Sequence, residues 1–155
     1  MNAPSEEELT KYRRRLPHWR LNNATYFVTW RLRPKQPLLK PAERDLIGSV
    51  LSHFDKSRYT LFAYVIMDDH VHVIIEPLAG EPLQSIIQSW KSFSANRLQR
   101  QHGRKGTVWQ DEYFDRIIRD EAEFLEKTHY IINNPLKRWP DVENYQWLGW
   151  KIMEE

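Results

Sequence analysis

Two β-rich runs separated by only two residues constrain this chain more than any other feature. They are Tyr59-Thr60-Leu61-Phe62-Ala63-Tyr64-Val65-Ile66-Met67 and His70-Val71-His72-Val73-Ile74-Ile75-Glu76. Both are dense in β-branched and aromatic residues, as buried strands are. Asp68-Asp69 between them is turn chemistry, and Pro77 closes the second run. A break that short permits an antiparallel hairpin and no crossover. His70 and His72 are two apart, so on a strand both imidazoles leave from one face. Two imidazoles side by side on a stiff platform make a minimal clamp for a divalent cation. The alternative is a chance pair among six histidines.

The rest of the chain supplies the partners such a hairpin needs. Ala24 to Arg33 reads as a first strand, with Pro34 ending it. Pro41-Ala42-Glu43-Arg44 opens a helix with proline in the first turn, and Leu46, Ile47, Val50, Leu51 and Phe54 form its core-facing stripe. A second helix is predicted from about Leu83 to Gln101, with Gly103 and Gly106 marking the return. Thr107 to Ile118 contains a fourth strand, and Glu121 to about Asn133 a third helix. The tryptophan-rich tail, Trp139 to Trp150, is expected to pack back on the body. The order strand, helix, strand, strand, helix, strand, helix predicts an α+β fold. It is the ferredoxin-like split βαβ antiparallel sheet, with helices on one face and an extra C-terminal helix. Residues 1–21 read as a loosely held arm and 22–155 as a single domain.

Composition excludes more than it assigns. At 155 residues with 41% hydrophobic and 28% charged side chains, the chain suits one soluble globular domain. No stretch approaches the roughly 20 apolar residues of a membrane helix, and the acidic, polar Met1–Thr10 segment reads as neither a signal nor a transit peptide. Zero cysteines exclude disulfides and thiolate chemistry and fit a reducing compartment. A net charge of +2 does not by itself argue for nucleic acid, but the arrangement is more telling. Lys11, Arg13, Arg14, Arg15, Arg20, Arg31 and Arg33 are interleaved with Tyr12, Trp19, Tyr26, Phe27 and Trp30, and Lys91, Arg97, Arg100, Arg104 and Lys105 form a second basic block. Cations mixed with aromatics suit phosphate contact and base stacking.

Tyr130 and Asn134 in Tyr130-Ile131-Ile132-Asn133-Asn134-Pro135 are four apart and share a helical face. An amide oxygen from Asn134 can complete a cation site begun by His70 and His72, with the Tyr130 phenol one turn away. The competing reading is a packed tyrosine and a helix closed before proline.

Taken in order, five blocks resemble the single-tyrosine HUH transposases, specifically the REP-associated tyrosine transposase branch. The blocks are Tyr26–Leu32, Met67–His72, Ser89–Phe93, Val108–Arg116 and Tyr130–Pro135. The resemblance implies that His70 and His72 hold a divalent ion, Mg²⁺ or Mn²⁺, with Asn134 as third ligand. It implies that Tyr130 is the catalytic nucleophile on single-stranded or hairpin DNA, passing through a 5′-phosphotyrosine. Asp68 stands where the family more often has proline, which leaves the site intact and can add a carboxylate. Candidate DNA contacts are Arg13, Arg14, Arg15, Trp19, Arg20, Lys91, Trp109, Gln110 and Arg116. Of these, Gln110 can serve DNA or a ligand histidine and Trp109 can stack a base. The alternative is a catalytically silent single-strand-binding or regulatory domain on the same fold. The expected setting is the nucleoid of the cytoplasm, as monomer or homodimer, without membrane attachment.

Overall fold

The computed structural model describes residues 24–151, so the N-terminal arm, with Arg13, Arg14, Arg15, Trp19 and Arg20, lies outside the described residues. Five strands and three helices follow one another: β1 (Thr25–Leu32), α1 (Pro41–His53), β2 (Tyr59–Ile66), β3 (His70–Pro77), α2 (Leu83–His102), β4 (Trp109–Ile118), α3 (Glu121–Arg138) and β5 (Leu148–Trp150). The sheet order is β4-β1-β3-β2-β5, and every pairing is antiparallel. The first four strands hold the split βαβ order that the sequence predicts.

Alternation along β3 divides the molecule into two layers. Val71, Val73 and Ile75 face α1 and α2, in a core with Val28, Trp30, Val50, Ile86 and Trp90. Ile74 belongs to a second core on the opposite face, with Phe27, Val65, Phe124, Ile131 and Ile132. The extra helix α3 covers that second face, and His70 and His72 share its side of the sheet.

Three local features position the hairpin. Met67 N–H donates to His70 O at 2.8 Å, closing a turn that contains only Asp68 and Asp69. The carbonyls of Asp68 and Asp69 accept from Leu39 and Leu32 N–H at 2.7 and 2.8 Å. Arg138, at the end of α3, donates to Asp68 Oδ2 at 2.9 Å, tying that helix to the same turn. Asp68 Oδ2 thus secures the helix, while its Oδ1 is buried with no hydrogen-bond partner among the described residues.

Two elements differ from the sequence expectation. α3 runs on to Arg138 with Pro135 inside it, instead of stopping near Asn133. Proline removes one helical N–H donor, but Trp139 N–H donates to Pro135 O at 2.7 Å and Pro135 and Asn134 are buried, so tertiary packing carries the helix through. The tail does pack back, and it does so as a strand: β5 pairs with β2, and Tyr145 Oη donates to Ile66 O at 2.6 Å. Gly149 allows this approach, because a Cβ there would stand 2.5 Å from the Tyr64 ring.

Candidate active site

β3 and α3 bring the four residues singled out from the sequence into one cluster. His72 is 3% exposed, and its ring lies 4.6 Å from the His70 ring and 5.3 Å from the Tyr130 ring, centroid to centroid. Asn134, also buried, points its Oδ1 to within 3.2 Å of His70 Nε2. Tyr130, three-fifths buried by its neighbours, keeps 40% of its surface open to solvent. A buried phenol would be sterically shut off from a polymer substrate; this one is not.

Each imidazole is oriented through its Nδ1. His70 Nδ1 lies 2.6 Å from Asp69 Oδ1, and His72 Nδ1 lies 2.6 Å from Thr29 Oγ1 on the neighbouring strand. Register explains the second contact, since Thr29 and His72 are directly paired between β1 and β3. With Nδ1 donating to Thr29, His72 Nε2 presents a lone pair, the tautomer found where histidine binds a metal, whereas His70 Nε2 donates to the Asn134 oxygen when no cation stands between them. Burial, together with the charges of His70, Arg31 and Lys137, pushes the His72 imidazole down to about 3, so it is neutral at ordinary pH. The Asp69 carboxyl would be raised by burial alone. Its hydrogen bond to His70 and the nearby charges of His70, Arg138 and Arg31 reverse this and hold it below its usual value.

His72 Nε2 is buried with no hydrogen-bond partner among the described residues. An orphaned buried nitrogen costs roughly 1–3 kcal/mol, and a cation would satisfy it. The orphaned His72 Nε2, the His70 imidazole and the Asn134 amide oxygen are donors of the kind a divalent ion takes. The described residues contain no cluster of three histidine, cysteine or acidic side chains, and the Asn134 amide stands within 3.2 Å of His70. Imidazole ligation favours Mn²⁺ over the oxygen-seeking Mg²⁺. Replacing Asp69 with alanine is expected to weaken divalent-ion affinity about 10- to 100-fold with the fold intact. Isothermal titration with Mn²⁺ measures this, and unchanged affinity would remove Asp69 from the site.

The remaining candidates sit elsewhere or are engaged. Trp109 is 3% exposed, edge-on to Trp30, with its indole N–H on Ser94 Oγ at 2.9 Å. It is core, and its ring is closed to base stacking. Lys91 Nζ donates to the carbonyls of Gln110 and Asp111 at 2.7 and 3.0 Å, and Gln110 Nε2 donates to Leu32 O at 3.1 Å. These two clamp the start of β4 to α2 and β1, and Gln110 bonds a carbonyl rather than a ligand histidine. Arg116 makes a two-pronged pair with Glu123, at 3.1 and 2.9 Å. His129 is exposed next to Tyr130. Sequence reasoning missed Thr29, whose partner is 43 residues away, and Lys137, whose Nζ lies 4.3 Å from the Tyr130 ring centroid. The i, i+7 spacing from Tyr130 was the available signal for Lys137.

Sequence similarity places this chain among the transposases. The chain belongs to the IS200-like transposase family, whose model matches residues 20–134. An uncharacterized protein of Haemophilus influenzae is 33% identical over 95 residues, covering 47% of this chain and 52% of that one. The chain thus spans about half the length of that curated relative. Among solved structures, a REP-associated tyrosine transposase bound to a REP hairpin is similar in fold, with a TM-score of 0.63 and 21% identity over 80% of this chain and 75% of the other. A putative transposase from Deinococcus radiodurans R1 has a TM-score of 0.52 and 16% identity over 76% of this chain and 95% of its own. No helix among the described residues is long and apolar enough to cross a membrane.

Proposed function

We propose that this protein is a metal-dependent transesterase that nicks and rejoins single-stranded DNA beside hairpins of the REP type. The observation that carries the reading is the orphaned His72 Nε2, set beside His70, Asn134 and the accessible Tyr130. Family membership and the hairpin bound by its structural relative support DNA as the substrate. Residues 22–155 act as one catalytic domain, with the basic arm adding DNA contacts.

In the forward step the Tyr130 phenolic oxygen attacks phosphorus and the bond from phosphorus to the 3′ oxygen breaks. The phenolic proton leaves to solvent, and the departing 3′ oxygen takes a proton from water. The product is a 5′-phosphotyrosyl link and a free 3′-hydroxyl, so one phosphodiester is exchanged for another. Attack by a 3′-hydroxyl on that link reverses the exchange and rejoins a strand without ATP. A divalent ion at His70, His72 and Asn134 would withdraw charge from the non-bridging oxygens and orient the phosphate for in-line attack. Lys137, against the Tyr130 ring, supplies a fixed cation to the same phosphate.

Incubation with Mn²⁺ and hairpin-bearing single-stranded DNA, followed by denaturing electrophoresis, tests this. A covalent protein–DNA adduct is expected from the native protein and none from Tyr130→Phe. Binding without an adduct across metals and substrates would favour the silent-binder reading instead.

A further inference from the structure

β4 is an edge strand, and α3 packs chiefly on β2, β3 and β5. The middle of β4 beside the histidines is therefore left open, while Phe27 and Thr29 of β1 are buried. One cross-strand row runs Phe114, Thr29, His72, with Phe114 paired to Thr29 and Thr29 to His72. Phe114 is 55% exposed and rests edge-on against Phe27, ring centroids 6.4 Å apart. Phe27 in turn stacks on His72 at 5.4 Å and meets Tyr130 at 6.0 Å. The exposed ring is thus one aromatic away from both the cation site and the nucleophile. Arg31 pairs with His70 across the strands and is exposed, and its charge bears on Asp69 and His72. Lys127 Nζ lies 5.3 Å from the Phe27 ring centroid, a further cation at the rim. Glu123 is paired with Arg116 and Glu126 with Lys127, and Glu112 on β4 is exposed.

An aromatic face bordered by cations is complementary to a polyanion carrying stackable bases. We propose that this strip is the bed for the single strand flanking the scissile phosphate, with Phe114 stacking one base and Arg31 binding the adjoining phosphate. The proposal rests on the DNA-cleaving reading above and extends it to a specific positioning surface. Phe114 holds the strand in register, so that the phosphate meets Tyr130 in line.

A binding measurement separates this inference from the chemistry. Oligonucleotides carrying 2-aminopurine at successive positions on either side of the cleavage point are titrated with the full chain. Quenching is expected at one position, lost in Phe114→Ala and retained in Phe114→Trp. Affinity for the natural strand falls roughly five- to a hundredfold in Phe114→Ala, the range of one lost stacking contact. An abasic nucleotide at the quenched position makes native and alanine proteins equal. Arg31→Gln lowers the slope of log affinity against log salt by about 0.7, one single-strand phosphate. Unchanged quenching at every position in Phe114→Ala overturns the stacking role, even if Tyr130 adducts form normally. A native protein that binds and quenches without forming an adduct keeps the bed and fails the transesterase reading. A Phe114→Ala variant altered only in sedimentation assigns the strip to a second copy of the chain and overturns the proposal.

Discussion

Replacing His72 with alanine is expected to abolish strand cleavage while leaving single-strand affinity largely unchanged. The two effects separate because the chemistry and the binding use different atoms. His72 contributes a buried, neutral Nε2 with no other partner, whereas strand affinity would draw on cations and exposed rings. Losing a residue that merely orients a metal ligand costs about 10- to 100-fold in metal affinity. Losing the ligand itself is expected to exceed that range, which Mn²⁺ titration reads directly. The alanine variant also loses the Thr29 contact and the Phe27 stack, so folding is checked by circular dichroism. Cleavage by His72→Ala at the native rate would dismiss the cation role.

The second large effect concerns stability. Glu43 and Arg104 form a buried pair, with Arg104 Nη2 donating to Glu43 Oε1 at 2.8 Å and both side chains almost fully enclosed. Arg104 also donates to Gln36 Oε1, Pro37 O and Leu38 O at 3.1, 2.8 and 3.2 Å. It thereby holds the loop whose Leu39 N–H caps the hairpin turn bearing the histidines. Arg104→Ala leaves a buried carboxylate without its partner, and the expected loss is about 3–5 kcal/mol, measured by urea unfolding. Combining Arg104→Met with Glu43→Leu is expected to recover most of it, since a buried pair replaced by apolar groups is often neutral. Burial alone would raise the Glu43 carboxyl. The Arg104 hydrogen bonds and charge, with the Lys40 backbone N–H, hold it below the usual carboxylate value. A carboxyl lowered on folding stabilises the protein above its unfolded value and loses that contribution as pH falls through the folded one. The penalty of Arg104→Ala is therefore expected to be full at pH 7 and to shrink in acid below the usual carboxylate value. A loss under about 1 kcal/mol, typical of a surface pair, would contradict the buried geometry.

Local pattern made the hairpin and the histidine pair legible. Strand alternation requires only that His70 and His72 be two apart, and helical spacing only that Tyr130 and Asn134 be four apart. What joins the two elements is long-range. Thr29 reaches His72 through sheet register, and Arg138 reaches Asp68 across the β2–β3 turn. Neither contact has a local signature. Trp109 shows the opposite problem: an aromatic among cations suggests stacking, but its ring fills the core between Trp30 and Ser94. Phe114, five residues later on the same strand, is the exposed ring, and composition alone does not distinguish them. The proline at 135 misdirects for a similar reason, because the packing that sustains the helix past it comes from residues remote in the chain.

Peptide mapping by mass spectrometry after reaction with Mn²⁺ and single-stranded DNA gives the most direct test of the convergence of phenol and imidazoles. The account predicts a nucleotide attached through phosphate to the tryptic fragment containing Tyr130, and to no other tyrosine. Attachment elsewhere, or undiminished adduct formation by Tyr130→Phe, would contradict it.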